Sequence, residues 1–154
     1  MKQIPGMVRT GFSLAELILT VAILAILMSI AIPRIGWETM GKVQAETSGQ
    51  QFSNYLKLAR SLAITNAGTN SIGYKVVLSP ASPYMYTLFN ANTLAIVKGP
   101  IVIPPGVAIS GNQTFQFTPL GNLSAASNLS VQFSKVGDIY AINVTPLGKI
   151  TVHR

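Results

Sequence analysis

Four carboxylates (Glu16, Glu38, Glu46 and Asp138), one histidine beside the C-terminus and no cysteine are what this 154-residue chain offers to acid–base, nucleophilic or metal chemistry. A lone His153 supports neither a His-based triad nor a metal cluster, and without cysteine there is no disulfide and no thiolate ligand. No Walker-type phosphate loop occurs, and the glycines read as turn punctuation. Glu38 and Glu46 fall in a helical stretch and Asp138 in a Gly-Asp turn, where carboxylates are ordinarily solvated or turn-forming. The chain is therefore expected not to be an enzyme and to need no cofactor or metal. Glu16 is the carboxylate out of place. It stands in a run from Phe12 to Ile32 that holds no Gly, no Pro and no other ionisable residue. A bare charge there costs on the order of a few kcal/mol unless it has a partner or a task.

The element that positions Glu16 is a helix. At about 1.5 Å per residue the run reaches roughly 30 Å, the thickness of a bilayer's hydrocarbon core. Apolar on every side, it suits a membrane or a fibre interior better than the surface of a soluble domain. Lys2 and Arg9 precede it with no acid between them, which places the short N-terminal segment in the cytoplasm and the bulk of the chain across the membrane. A secretory signal peptide would be followed by a small-residue cleavage site. Here Pro33-Arg34-Ile35-Gly36 follows instead. A plain signal anchor accounts for all of this except one conjunction, Gly11 immediately before Phe12 with Glu16 four residues on.

That conjunction resembles the processing site of type IV prepilins and type II secretion pseudopilins. The resemblance implies that a prepilin peptidase cuts between Gly11 and Phe12, that Phe12 is then N-methylated, and that the helix becomes the mature N-terminus. It implies an inner-membrane subunit with a periplasmic globular domain before assembly, and a periplasmic or cell-surface fibre with other pilin or pseudopilin subunits afterwards. Pro33 stands where many members carry a helix-kinking proline, and Ser13 replaces a common Thr. Many pilins staple their C-terminal region with a disulfide; this chain has no cysteine for one. Glu16 lies on about the same helical face as Phe12. In a packed fibre its carboxylate can pair with a neighbour's terminal amine and offset the desolvation of both. It can also cap its own helix, where negative charge is favourable in the first turn.

Beyond the run, residues 34–66 read as more helix. Met40, Val43, Phe52, Tyr55, Leu56, Ala59, Leu62 and Ala63 form an apolar stripe, with Lys42, Lys57 and Arg60 largely off it. Pro33, Gly36, Gly41 and Ser48-Gly49 are expected to weaken that helix locally, and Asn66-Ala67-Gly68 to stop it. Strand patterns follow at Ile72–Ser79, Tyr84–Asn90, Thr93–Val97, Gln113–Thr118, Leu129–Lys135, Ile139–Thr145 and Lys149–His153. Pro104-Pro105-Gly106 interrupts them at an edge or a crossover. Phe117-Thr118-Pro119-Leu120-Gly121-Asn122 is echoed by Val144-Thr145-Pro146-Leu147-Gly148-Lys149, a pair of similar turns with no solenoid period behind them. The expected organisation is a leader (1–11), a membrane or fibre-core half-helix (12–33), an amphipathic half-helix (34–66) and a β-rich domain (67–154).

Leu58-Ala59-Arg60-Ser61-Leu62-Ala63, Phe117-Thr118-Pro119-Leu120-Gly121 and the closing Gly148-Lys149-Ile150-Thr151-Val152 are similar to segments of GspH/FimT-type pseudopilins. The resemblance implies an α+β, type IV pilin-like fold, a long N-terminal helix packed on two antiparallel β-sheets. It also implies a minor structural subunit at or near a fibre tip, the alternatives being a major pilin or a DNA-binding minor pilin. The formal charge of +7 is compatible with DNA, anionic lipid or acidic polymers as partners. Some FimT-type pilins bind DNA through a basic Gly-Arg-x-Arg tail. Here Lys149 fits the first basic position, Thr151 occupies the second, and Arg154 closes the chain. Alternation along a strand puts Lys149 and Arg154 on opposite faces, so they share a patch only if the terminus frays.

Overall fold

The computed structural model describes residues 13–31 and 37–154. Gly11, Phe12 and Pro33, and the join between the two halves of the expected helix, lie outside them. The chain divides into two compact units meeting at Trp37 and Glu38. The first contributes helix α1 (Leu14–Ala31), whose opening turn has Glu16 N and Leu17 N donating to Ser13 O at 3.0 and 3.2 Å. Its large apolar residues are exposed all round, from Leu14 at 77% to Ile23 at 49%. Among the described residues no helix is long and apolar enough to cross a membrane. Helix α1 has 18 described residues, and a span takes about 20.

The second unit is α+β, a long helix packed on two antiparallel sheets. Helix α2 (Trp37–Thr65) is followed by β1 (Tyr74–Leu78), β2 (Met85–Asn90), β3 (Ile96–Val102), β4 (Ala108–Gly111), β5 (Thr114–Phe117), β6 (Leu129–Lys135), β7 (Asp138–Val144) and β8 (Ile150–His153). One sheet has the order β3-β2-β1-β5 and the other β4-β6-β7-β8. Pro104-Pro105-Gly106 lies at the crossover between them, after β3 of one sheet and before β4 of the other.

Phe52 holds the helix to both sheets. Its ring centroid lies 5.3 Å from that of Tyr86 on β2 and 5.7 Å from that of Phe115 on β5, both edge-on. On the second sheet it reaches Phe133 of β6 at 5.5 Å. Edge-to-face aromatic pairs add about 0.5–1.5 kcal/mol each to the burial of their area. Leu56, Ala59 and Ala63 extend the stripe toward the end of the helix and are fully buried.

The helix departs from the sequence reading in three ways. Met40 and Val43 are exposed at 56% each, while Ala45 and Ser48 are buried; the inward face is rotated in the first turns, where glycines decide the contact. The helix runs unbroken through Gly41 and Gly49, which are points of close approach. A Cβ at Gly49 would stand 2.1 Å from the Tyr140 ring, and one at Gly41 2.7 Å from the Val136 side chain. Arg60, read as lying off the stripe, turns inward and bonds a backbone carbonyl.

Two strands also differ. Strand β3 is Ile96–Val102 and not Thr93–Val97. It continues through Gly99-Pro100 because an edge strand tolerates a residue with no N–H to give. Strand β4 was not anticipated. Its Ala-Ile-Ser-Gly sequence carries little β signal, and pairing with β6, Ile109 opposite Phe133, makes it a strand.

Candidate functional site

The three segments that carry the finer family resemblance converge in space. The first of the echoed turns closes with Gly121 N donating to Thr118 O at 2.8 Å, the second with Gly148 N donating to Thr145 O at 2.8 Å. Each needs its glycine, with φ of +76° at Gly121 and +73° at Gly148, a region that residues bearing a Cβ avoid. The turns lie against each other. Leu123 N, just past the first, donates to Pro146 O in the second at 2.8 Å. A Cβ on Gly148 would fall 2.0 Å from Gly121 O and 2.8 Å from Arg60 Nε. Arg60 closes the junction from the helix, its Nε donating to Gly121 O at 2.9 Å. A charge-assisted hydrogen bond of this kind contributes about 1.5–3 kcal/mol.

Beside this junction is an open cavity of about 520 Å³ whose lining includes Lys57, Arg60, Ser61, Ile64, Lys149 and Ile150. Three cations and no carboxylate line it. Nε is the Arg60 nitrogen bonded to the turn, so the terminal guanidinium nitrogens remain as donors toward the cavity. Lys57 and Arg60 stand three residues apart on one helix face. Chemically the site suits an anion with several acceptor oxygens, phosphate above all.

Of the tail residues singled out in the sequence, the structure brings Lys149 to this cavity and takes Arg154 elsewhere. The Arg154 guanidinium pairs with the Glu46 carboxylate on α2. Glu46 lies fourteen positions before Arg60, about 21 Å along a helix. The two basic tail residues therefore meet α2 about four turns apart and share no patch. Lys57 and Arg60 were not among the sequence candidates; their i, i+3 spacing was visible, but their meeting with the last turn is tertiary. Asp138 pairs with Lys42 at 3.4 Å with both side chains half exposed, a surface contact worth about 0–1 kcal/mol. Glu16 is exposed in the first turn of α1, with its carboxylate open to a partner.

A long helix packed on antiparallel sheets is a type IV pilin-like fold. Two crystal structures of the type IV minor pilin FimU of Pseudomonas aeruginosa share it. The match to one has a TM-score of 0.56 at 11% identity, over 71% of this chain and 87% of that one. The match to the other has a TM-score of 0.54 at 12% identity, over 71% and 92%. No protein-family model and no curated protein sequence matches the chain. What is shared with FimU is the fold, a type IV pilin-like one.

Proposed function

We propose that this chain is a pilin-like structural subunit, processed by a prepilin peptidase and assembled into a type IV pilus or a type II secretion pseudopilus, at or near its tip. The observation that carries the reading is α1, apolar and exposed on every side, in a chain whose other unit has the fold of a minor pilin. A helix of that kind needs a cover, and lipid before assembly and the helices of other subunits afterwards supply one. Glu16, the single charge on α1, then has a use as the partner of a neighbouring subunit's N-terminal amine. Mass spectrometry of the protein from its native host is expected to find N-methylated Phe12 as the first residue. An intact Met1 in a host with a working peptidase would sink the proposal. Glu16→Ala is expected to insert normally, since it makes the helix more apolar, and to be lost from fibres.

A second reading, DNA binding by the same subunit, is favoured by the cavity with Lys57, Arg60 and Lys149. Contacts there would go to phosphate, independent of sequence and steeply weakened by salt. Fluorescence anisotropy of the full chain in neutral detergent, with single-stranded DNA at low salt, tests it. Lys57→Ala and Lys149→Ala are each expected to weaken binding several-fold, about one phosphate contact apiece. Arg154→Ala is expected to leave binding unchanged, because that guanidinium is held by Glu46. Equal loss from all three, or no binding, removes this reading.

A further inference from the structure

A second groove, sharing no lining residue with the basic cavity, runs between α2 and edge strand β3. It has a volume of about 430 Å³ and is lined by Gln51, Asn54, Tyr55 and Leu58 of the helix and by Lys98 and Ile101 of the strand, with Tyr86 of β2 beneath. Tyr55 is 9% exposed, and its buried hydroxyl has no hydrogen-bond partner. A buried phenol left unpaired has given up its water and gained nothing in return. Ser48 and Ser53 of α2 carry unpaired hydroxyls too, but a helical serine can turn toward the carbonyl one turn back. The Tyr55 ring, fixed edge-on to Tyr86 at 4.9 Å, has no such freedom. Above it, the Lys98 ammonium lies 5.1 Å from the ring centroid. Lys98 is in neither of the two ion pairs formed among the described residues. Its four-carbon arm is exposed and can swing off the ring.

We infer that this groove is a binding site for a single carboxylate carried on a small body. Lys98 supplies the countercharge and the Tyr55 hydroxyl the donor that is otherwise unused. Gln51 and Asn54 offer amide groups at the rim, and Leu58 and Ile101 an apolar wall. One ammonium and one phenol match a monoanion better than a phosphate, which draws on several donors. An ordinary phenol is protonated at neutral pH and so a donor, and burial raises that of Tyr55 further.

The carboxylate has two sources, an acidic side chain of another protein or a free sugar acid. The experiment follows backbone amide shifts at Tyr55, Lys98 and Ile101 in the full-length chain held in neutral detergent. It is titrated with capped glutamate and with glucuronate, and with capped glutamine and glucose as neutral counterparts. Saturable shifts with either acid and none with its neutral counterpart are expected, and the acid that gives them names the source. Lys98→Met is expected to weaken binding at least ten-fold. Tyr55→Phe is expected to weaken it several-fold while raising the thermal midpoint, because it removes an unpaired buried hydroxyl and keeps the ring. No saturable shift, an equal response to the neutral compounds, binding unchanged by both substitutions, or destabilisation by Tyr55→Phe each overturns the inference.

Discussion

Gly121 and Gly148 stand at matching positions of two turns with the same Thr-Pro-Leu-Gly sequence, yet a methyl group meets different surroundings at each. At Gly148 it would fall 2.0 Å from the backbone oxygen of Gly121; at Gly121 it would meet the Ile64 side chain at 2.6 Å. A side-chain end gives way and a hydrogen-bonded backbone does not. Both substitutions carry the strain of a positive φ, about 1–3 kcal/mol. Gly121→Ala is expected to cost roughly that, and Gly148→Ala about 2 kcal/mol more, read as urea-midpoint shifts at unchanged slope. A second prediction at this scale concerns Tyr86, whose phenol is pushed up to about 12 by burial first and by the adjacent Tyr55 phenol second. The unfolded chain releases that proton near pH 10 and the folded chain near 12. The stabilisation is therefore complete below pH 10 and lost as pH rises through 12, by up to roughly 3 kcal/mol. Thermal midpoints measured across that range should fall less steeply for Tyr86→Phe. Both turns and their glycines were legible in the sequence. That they abut each other under Arg60 was not, because a turn's type is set locally and its neighbour by the fold.

At the scale of elements, α2 organises the domain through few contacts. Phe52→Ala removes the ring that meets Tyr86, Phe115 and Phe133, and is expected to cost about 3–5 kcal/mol. That exceeds the cost of truncating any single strand residue that faces one sheet only, and chemical denaturation of the two kinds of variant checks it. The later part of the stripe, Phe52 to Ala63, was readable from its spacing. In the earlier part, burial does not follow hydrophobicity. In those turns contact is made by residues with nothing to bury, Gly41 against Val136 and Gly49 against Tyr140. Strands with clean alternation, such as β6, were recognised to the residue. Those defined by their partners, β3 with its Gly-Pro and β4, were displaced or missed.

At the scale of the whole molecule, the resemblance carried by Gly11, Phe12 and Glu16 implied a pilin-like α+β fold, and the likeness to FimU shows that fold over 71% of the chain. Two sheets are what the resemblance implies, but which strands fall in each was not legible, because neither the extent of β3 nor the presence of β4 shows in the residues flanking Pro104–Gly106. The absence of cysteine left open what secures the C-terminus in place of a disulfide. The answer lies in the two ends of β8. Leading into it, the Gly148 turn is hydrogen-bonded to the first turn, which Arg60 holds. At its far end Arg154 is clipped to Glu46. Both fastenings lead to the same helix and neither is covalent. If the chain is pulled by that helix, the terminal strand can give up its hydrogen bonds to β7 together with both fastenings and seat itself again, with no covalent bond broken and no oxidant consumed. A disulfide of the same reach would resist longer, but once reduced it would need chemistry to re-form. This closure needs only time.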